Sequence, residues 1–283
     1  MLERTTFRAL VALGLAVVAC VAGTPAVLAA SDRPAISAPQ QATARGAALP
    51  EDTTRELRDA LFAGVNADRA TQGLVAYVRD PALERVAESR AERLSVSPAF
   101  GHPFAGAPIL DAVEATGIGP LGVGEALGWS SQPGSVALAS VRAMWGRSAS
   151  HAAIVLSDTS SYAGVGVAVA GGRTFVALVT AETLDRTPPV VETAGAERQG
   201  AAVVVRWTAL DPLLQTHTAG LRDAAVEYRL DGGPWLMLQR ANARGIAAIA
   251  RPRPGHMYEV RIRARDRAGN VSPWVETSPI RIP

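Results

Sequence analysis

Asp80-Pro81-Ala82-Leu83-Glu84-Arg85-Val86-Ala87-Glu88-Ser89-Arg90-Ala91-Glu92-Arg93-Leu94 opens with a carboxylate followed by a proline. A carboxylate at the N-cap accepts hydrogen bonds from free backbone N–H groups, and proline at the first helical position has none to lose. Behind that start Leu83, Val86, Ala87, Arg90, Ala91 and Leu94 share one face, five of the six apolar. The stretch predicts an amphipathic helix that lays this face on a core.

Upstream, Asp52 or Thr53 can cap a helix carrying Leu57, Leu61 and Val65 at four-residue steps, and Gly73 stops it. Downstream, Ile109 to Thr116 reads as a short helix ended by Gly117. Ser135 is placed to cap another, with Ala137, Val141, Met144 and Trp145 on one side. Then the period changes from helical to alternating. Tyr162 to Val169 and Arg173 to Thr180 are rich in β-formers and meet at Gly171-Gly172, a two-residue hairpin signal. Helices followed by a hairpin predict an α+β domain over residues 51–184.

Beyond Asp185-Arg186-Thr187-Pro188-Pro189, a stiff linker, the pattern is all strand. Val203, Val205 and Trp207 alternate with Val204, Arg206 and Thr208. Val226, Tyr228 and Leu230 alternate with Glu227, Arg229 and Asp231. Tyr258, Val260, Ile262 and Ala264 alternate with Glu259, Arg261, Arg263 and Arg265. Turn signals at Gln199-Gly200, Asp231-Gly232-Gly233 and Ala268-Gly269-Asn270 separate these runs. Roughly seven short strands over residues 185–283 predict a β-sandwich. The chain has no internal repeat.

The 283 residues allow one large domain or two ordinary ones. An apolar fraction of 48% with 19% charged residues excludes wholesale disorder. The formal net charge is +2, all basic side chains are arginine, and no basic block points to nucleic acid. The one cysteine, Cys20, excludes an intramolecular disulfide. It lies in a segment with the layout of a secretory signal over residues 1–30. Arg4 and Arg8 precede an apolar run from Ala9 to Ala22, and small residues end at Ala29-Ala30. The run is shorter than the roughly 20 residues of a transmembrane helix. Cleavage after Ala29 or Ala30 gives a secreted protein without cysteine. Val17-Val18-Ala19-Cys20 also fits a lipoprotein box, which would make Cys20 a lipid anchor at the cell surface. Residues 31–50, rich in Ala, Pro, Ser and Gln, read as a flexible linker.

Of the four histidines, two lie in the first domain beside small or polar residues. His102 follows Phe100-Gly101, and His151 closes Trp145-x-x-Ser148-x-x-His151. Between them Gly124-Glu125-Ala126-Leu127 places a carboxylate in what reads as a Gly-rich loop. Two imidazoles and a carboxylate can bind a divalent ion or transfer protons, although no HExxH occurs. Ser148 lacks a Gly-x-Ser-x-Gly elbow and reads as a helix-end cap. Gly164-x-Gly166 sits in a strand and reads as packing. The stripe Arg261, Arg263, Arg265 reads as a solvated face, with an anionic wall polymer as the alternative partner. His217 and His256 fall in expected loops.

The first half resembles the bacterial, cysteine-poor branch of the CAP superfamily, named for cysteine-rich secretory proteins, antigen 5 and pathogenesis-related proteins. The residues that carry the resemblance are Leu61-Phe62-Ala63-Gly64-Val65-Asn66-Ala67-Asp68-Arg69, Gly73-Leu74, Asp80-Pro81-Ala82-Leu83, Phe100-Gly101-His102, Gly124-Glu125, Trp145-x-x-Ser148-x-x-His151 and Gly164-Val165-Gly166-Val167, in that order. It implies an α-β-α sandwich with a central cleft, in which His102, Glu125 and His151 match three of four metal-binding positions and Zn²⁺ is the ion implied. The fourth, a glutamate in eukaryotic members, is Ser148 here, and the usual asparagine after the loop glutamate is Ala126. The second half resembles a fibronectin type III-like module, an immunoglobulin-like sandwich. Pro254-Gly255-x-x-Tyr258, Val260 to Ala264 and Asp266-Arg267-Ala268-Gly269-Asn270-Val271-Ser272-Pro273-Trp274 carry that likeness, with Tyr258 in the corner-tyrosine position. The expected function is an extracellular module whose cleft binds a small apolar or polymeric ligand. The alternatives are a metal-assisted hydrolase and a cell-envelope scaffold held by the sandwich.

Overall fold

The computed structural model describes residues 51–242 and 244–283, and these fall in one compact unit. The export signal, the linker over 31–50 and both readings of Cys20 lie outside the described residues.

Five α-helices and a four-stranded sheet build the first half. The helices are α1 (Glu51–Thr71), α2 (Pro81–Val96), α3 (Ile109–Glu114), α4 (Gly134–Arg147) and α5 (Ala149–Val155). The strands are β1 (Val78–Arg79), β2 (Gly122–Ser130), β3 (Tyr162–Ala170) and β4 (Arg173–Glu182), in the spatial order β1-β3-β4-β2. Helix α2 starts where the cap signal put it: Asp80 Oδ1 accepts from the N–H groups of Ala82 at 2.8 Å and Leu83 at 3.2 Å. The β3–β4 turn runs through Gly171 at φ +56° and Gly172 at φ +71°, the left-handed pair a tight hairpin requires.

Each face of the sheet has its own core. One joins Leu83, Ala87 and Leu94 of α2 to Leu127, Ala177 and Val179. The other joins Leu61 and Val65 of α1 and Val141 and Trp145 of α4 to Ala126, Val165 and Leu178. Gly164 and Gly166 are the packing residues their strand context suggested. A Cβ on Gly166 would lie 2.0 Å from the Ala87 carbonyl oxygen, and one on Gly164 would lie 2.1 Å from the Glu84 nitrogen. Backbone therefore packs on backbone between α2 and β3.

Two local readings differ from the structure. Gly122–Ser130 is a strand, paired residue for residue with Glu182–Thr174 of β4, and not a loop. Its glycines mark close approach instead of a turn, since a Cβ on Gly128 would lie 2.4 Å from Val141 Cγ1. Helix α4 begins one residue before Ser135, and Pro133 stands at its cap position without a side-chain cap bond.

Eight strands follow: β5 (Val190–Gln199), β6 (Ala202–Leu210), β7 (Leu221–Leu230), β8 (Leu236–Ala241), β9 (Arg244–Ala250), β10 (Met257–Asp266), β11 (Val275–Glu276) and β12 (Ile280–Arg281). One sheet has the order β5-β6-β9 and the other β11-β10-β7-β8, with β12 also on β10. On β6 and β10 the alternation read from the sequence is the packing that forms, with Val203, Val205, Trp207, Tyr258, Val260, Ile262 and Ala264 buried between the sheets. On β7 it fails, since Ala224, Ala225 and Val226 are buried in succession and Tyr228 and Leu230 are half-buried like the polar residues between them. The Tyr258 hydroxyl accepts from the Arg253 N–H at 2.9 Å.

The halves are fastened at two places. Asp185 is buried, and its carboxylate accepts from the Thr187 N–H at 2.8 Å and the Ala219 N–H at 2.7 Å. The β6–β7 connection then lies on the first half as a strap. Leu214, 3% exposed, joins the α2-side core, and Gln215 Oε1 accepts from the Val75 N–H at 2.9 Å. His217 Nε2 is 3.3 Å from Glu182 Oε1. Leu214→Ala is expected to lower stability by about 2 kcal/mol or more, read as a lower denaturant midpoint. An unchanged midpoint would mean that the strap does not anchor.

Candidate functional site

Strand β2 is an edge of its sheet, and alternation turns Glu125 to the α2 side, with Val123 and Leu127. Arg90, the one charged member of the α2 apolar face, reaches the same place. Both side chains are buried, 3% exposed for Arg90 and 4% for Glu125, and Arg90 Nε lies 3.0 Å from Glu125 Oε1. The approach is an ion pair out of hydrogen-bond alignment, since Oε1 has no aligned donor. The guanidinium is also fixed by donating from Nη2 to the Ala107 carbonyl at 2.6 Å.

His102 begins a 3-10 turn over His102–Phe104, entered through Gly101 at φ +148°. Its Nδ1 hydrogen-bonds Glu125 Oε2, while the ring is more than half exposed. The structure thus brings two of the three expected site residues into contact, with Arg90 behind them. The third, His151, lies within α5, a helix packed on the opposite face of the sheet; Ile154 of that helix would be 3.0 Å from a Cβ on Gly124. His151 makes no hydrogen bond or ion pair with His102 or Glu125, and its buried Nδ1 has no partner. Helix α5 is held at its C-terminal end by Arg69, fully buried, which donates to the carbonyls of Val155 at 3.1 Å and Ser157 at 2.8 Å. That guanidinium also stacks 3.6 Å over the Tyr77 ring, whose hydroxyl burial pushes up to about 12.

The two imidazoles are driven apart in acidity. The hydrogen bond from Glu125 raises the pKa of His102, against burial and the nearby Arg90 charge. Burial, then the charge of His102, lowers that of His151. The two shifts have opposite sign, so His102 holds its proton to higher pH than His151 does. In an NMR titration His102 is expected to titrate above the ordinary value of 6.5 and His151 below it. The contribution of His102 to stability is full below the unfolded value and is lost as pH rises through its raised folded value. That of His151 has the opposite sense and falls away as pH drops below the unfolded value. Glu125→Gln is expected to lower the His102 pKa; an unmoved titration would show that the hydrogen bond does not set it.

In kind, two imidazoles and a carboxylate are a Zn²⁺ donor set. As folded, the ligand atoms of His102, Glu125 and His151 do not all lie within 4.8 Å of one another. Glu125 is engaged on one oxygen by Arg90 and on the other by His102 Nδ1, which leaves Nε2 as the His102 nitrogen able to ligate. Among the described residues, the group of three whose ligand atoms all lie within 4.8 Å of one another is Asp185, Asp211 and Asp266, at the junction of the halves. That group was not singled out from sequence. Its members accept backbone N–H bonds from Ala219, Gly220, Gly269 and Asn270, and burial, then the charges of Asp185 and Asp266, raises the Asp211 pKa.

The remaining candidates have structural partners. Ser148 ends α4 and precedes α5, but its hydroxyl meets Ser150 Oγ at 3.1 Å and caps neither helix. On β10, Arg261 pairs with Glu227 at 2.7 Å and Arg265 with Asp223 at 2.8 Å. Arg261 and Arg263 stack on Trp274 at 4.1 and 4.4 Å. The stripe is an internally paired face. His256 Nδ1 meets Asp231 Oδ2 at 2.5 Å.

Residues 62–181 match the family model of CAP, the cysteine-rich secretory protein family. No curated protein sequence matches the chain significantly. Among solved structures, a cysteine-rich secretory protein from Staphylococcus aureus is 14% identical with a TM-score of 0.38, over 47% of this chain and 40% of its own. An extracellular protein containing an SCP domain from Bacillus anthracis is 19% identical with a TM-score of 0.41, over 48% and 44%. An outer surface protein from Borrelia burgdorferi is 18% identical with a TM-score of 0.43, over 49% and 98%. The chain thus spans less than half the length of the first two. Likeness this distant adds nothing about the site. Among the described residues no helix is long and apolar enough to cross a membrane, which leaves β-barrels aside.

Proposed function

We propose that the CAP domain, matched over residues 62–181, is an extracellular binding module for a small apolar ligand with a polar head, and that His102 is the group that meets the head. The observation that carries this reading is the surface around that imidazole. Phe100 and Phe104 flank it in the chain and are 42% and 46% exposed. Exposed aromatic side chains beside a buried-carboxylate–imidazole pair suit a ligand that is apolar with one polar end. Export from the cytoplasm, by cleavage at Ala29 or Ala30, belongs to the same proposal.

A divalent ion on His102, Glu125 and His151 is the second reading, favoured by the unpartnered buried Nδ1 of His151. Held by those residues, such an ion would supply the Lewis acidity that a hydrolase needs. Against that chemistry, Glu125 would have to leave Arg90 before it could relay a proton.

The C-terminal sandwich is proposed as a fibronectin type III-like module over 185–283, acting as a spacer for the CAP domain over 51–184. Support comes from a three-stranded sheet facing a five-stranded one and from the hydroxyl of Tyr258 bonded five residues upstream. A sandwich that instead anchors the chain would bind cell-wall material.

Fluorescence of Nile red with the full chain tests the first reading. Saturable binding that falls at least about tenfold in Phe100→Ser/Phe104→Ser, with the unfolding midpoint kept, is expected. Equal binding by the variant would overturn it. Calorimetric titration with Zn²⁺ of wild type, His102→Ala and His151→Ala tests the second, which fails if all three take up the ion equally weakly.

A further inference from the structure

A second cleft, of about 250 Å³, opens along α2 on the side facing residues 105–107 and α3. Arg85, Ser89 and Arg93 recur at four-residue steps and so share one stripe of the helix. Between them the floor is apolar, from Val86 and Ala105, apart from the buried Arg90.

The charges of this cleft are only partly offset, since Glu88, the carboxylate on which Arg85 acts, lies beyond ion-pair distance. Arg90 is offset by Glu125, at 3.0 Å. Among the described residues neither Arg85 nor Arg93 has a carboxylate within 4.0 Å, whereas Arg58 and Arg79 on the adjoining surface each do. Arg93 Nε donates to Ser89 Oγ at 3.4 Å, which orients the guanidinium and leaves its Nη groups without a protein acceptor. Arg85 makes no hydrogen bond among the described residues.

The opposite wall is rigid and close. The bond from Arg90 Nη2 to the Ala107 carbonyl, 2.6 Å long, fixes it from below. Gly106 takes φ +126°, and a Cβ there would come 3.3 Å from Arg93 Cδ, so a larger residue would crowd the arginine stem. Two guanidinium groups with free donors, over a small apolar floor, match an oxyanion on a short hydrocarbon body.

We infer that this cleft binds the terminal carboxylate or phosphate of a small molecule, with Arg85 and Arg93 as its ligands. The site shares Arg90 with the Glu125–His102 pair but does not depend on what the His102 surface binds. The volume admits a single anionic group with a few attached carbons, below the size of a drug-like ligand.

Titration of the ¹⁵N-labelled full chain with sodium phosphate and with sodium butyrate, at constant ionic strength, tests it. Saturable shifts at the Gly106 and Ala107 amides are expected, and the tighter of the two probes identifies the oxyanion. Arg85→Gln and Arg93→Gln are each expected to weaken binding about tenfold. Arg147→Gln and Arg244→Gln each remove the same charge elsewhere and are expected to leave it unchanged. The side chains of Arg85 and Arg93 are exposed, so the folded state survives their replacement, and Arg93→Lys keeps the charge while losing the fork. Shifts that fail to saturate, or equal weakening by the distant pair, would overturn the site.

Discussion

Gly166→Ala is expected to lower stability by about 3 kcal/mol or more, at the upper end of what an added methyl does in a packed core. The new carbon would sit 2.0 Å from the Ala87 carbonyl oxygen, a backbone atom that no rotamer change can move aside. Relief requires α2 to lift from β3, and that would also disturb Leu83 and Leu94 in the core beneath the helix. Gly164→Ala meets the same wall one turn earlier, at the Glu84 nitrogen. Gly146→Ala supplies the contrast. That glycine is in α4, exposed, with nothing within 4 Å of an added Cβ, so alanine should raise stability by up to about 1 kcal/mol. Urea denaturation of the three variants decides the matter: a Gly166→Ala midpoint equal to wild type would show that the helix does not rest on the strand.

Arg90→Met is expected to remove about 3–5 kcal/mol, since breaking a buried ion pair strands the surviving charge. Glu125 would then keep only His102 as a counter-charge. Stability of the variant should consequently fall more steeply as pH rises through the raised His102 pKa, where that imidazole loses its proton. Adding Glu125→Gln removes the stranded charge, and Arg90→Met/Glu125→Gln should recover a large part of the loss. A double-mutant cycle measures the coupling. Additive losses from the two single variants would mean that the 3.0 Å approach contributes no interaction.

The helix around Arg90 was legible from one capped, periodic stretch, and so was the hairpin at Gly171-Gly172, because both rest on local chemistry. The partnership of Arg90 was not. The signal was present, a guanidinium alone on an apolar face, but periodicity cannot say which carboxylate meets it. Strand β2 was hidden for a related reason. Gly122, Gly124 and Gly128 carry the local signature of a loop, and only the side chains of Thr180 and Ile154 pressing on Gly124 and of Val141 pressing on Gly128 explain glycine in a strand. His102 and Glu125 were found by residue type and order. The placement of His151 on α5, across the sheet from α2, depends on how the helices stack. His217 was placed in a loop, but the burial of Leu214 beside it was not legible, since the first half's core supplies it.

That strap alters how the molecule would carry a load. A chain joined only through residues 185–189 would swivel there, and tension on the sandwich would reach the first half through a single strand. With Leu214, Gln215 and His217 seated on the first half as well, the joint has two attachment points far apart in sequence and behaves as a truss. Torque on the sandwich is then resisted by the sheet containing Glu182, and the surface bearing His102 keeps a fixed heading relative to whatever grips the C-terminal strands.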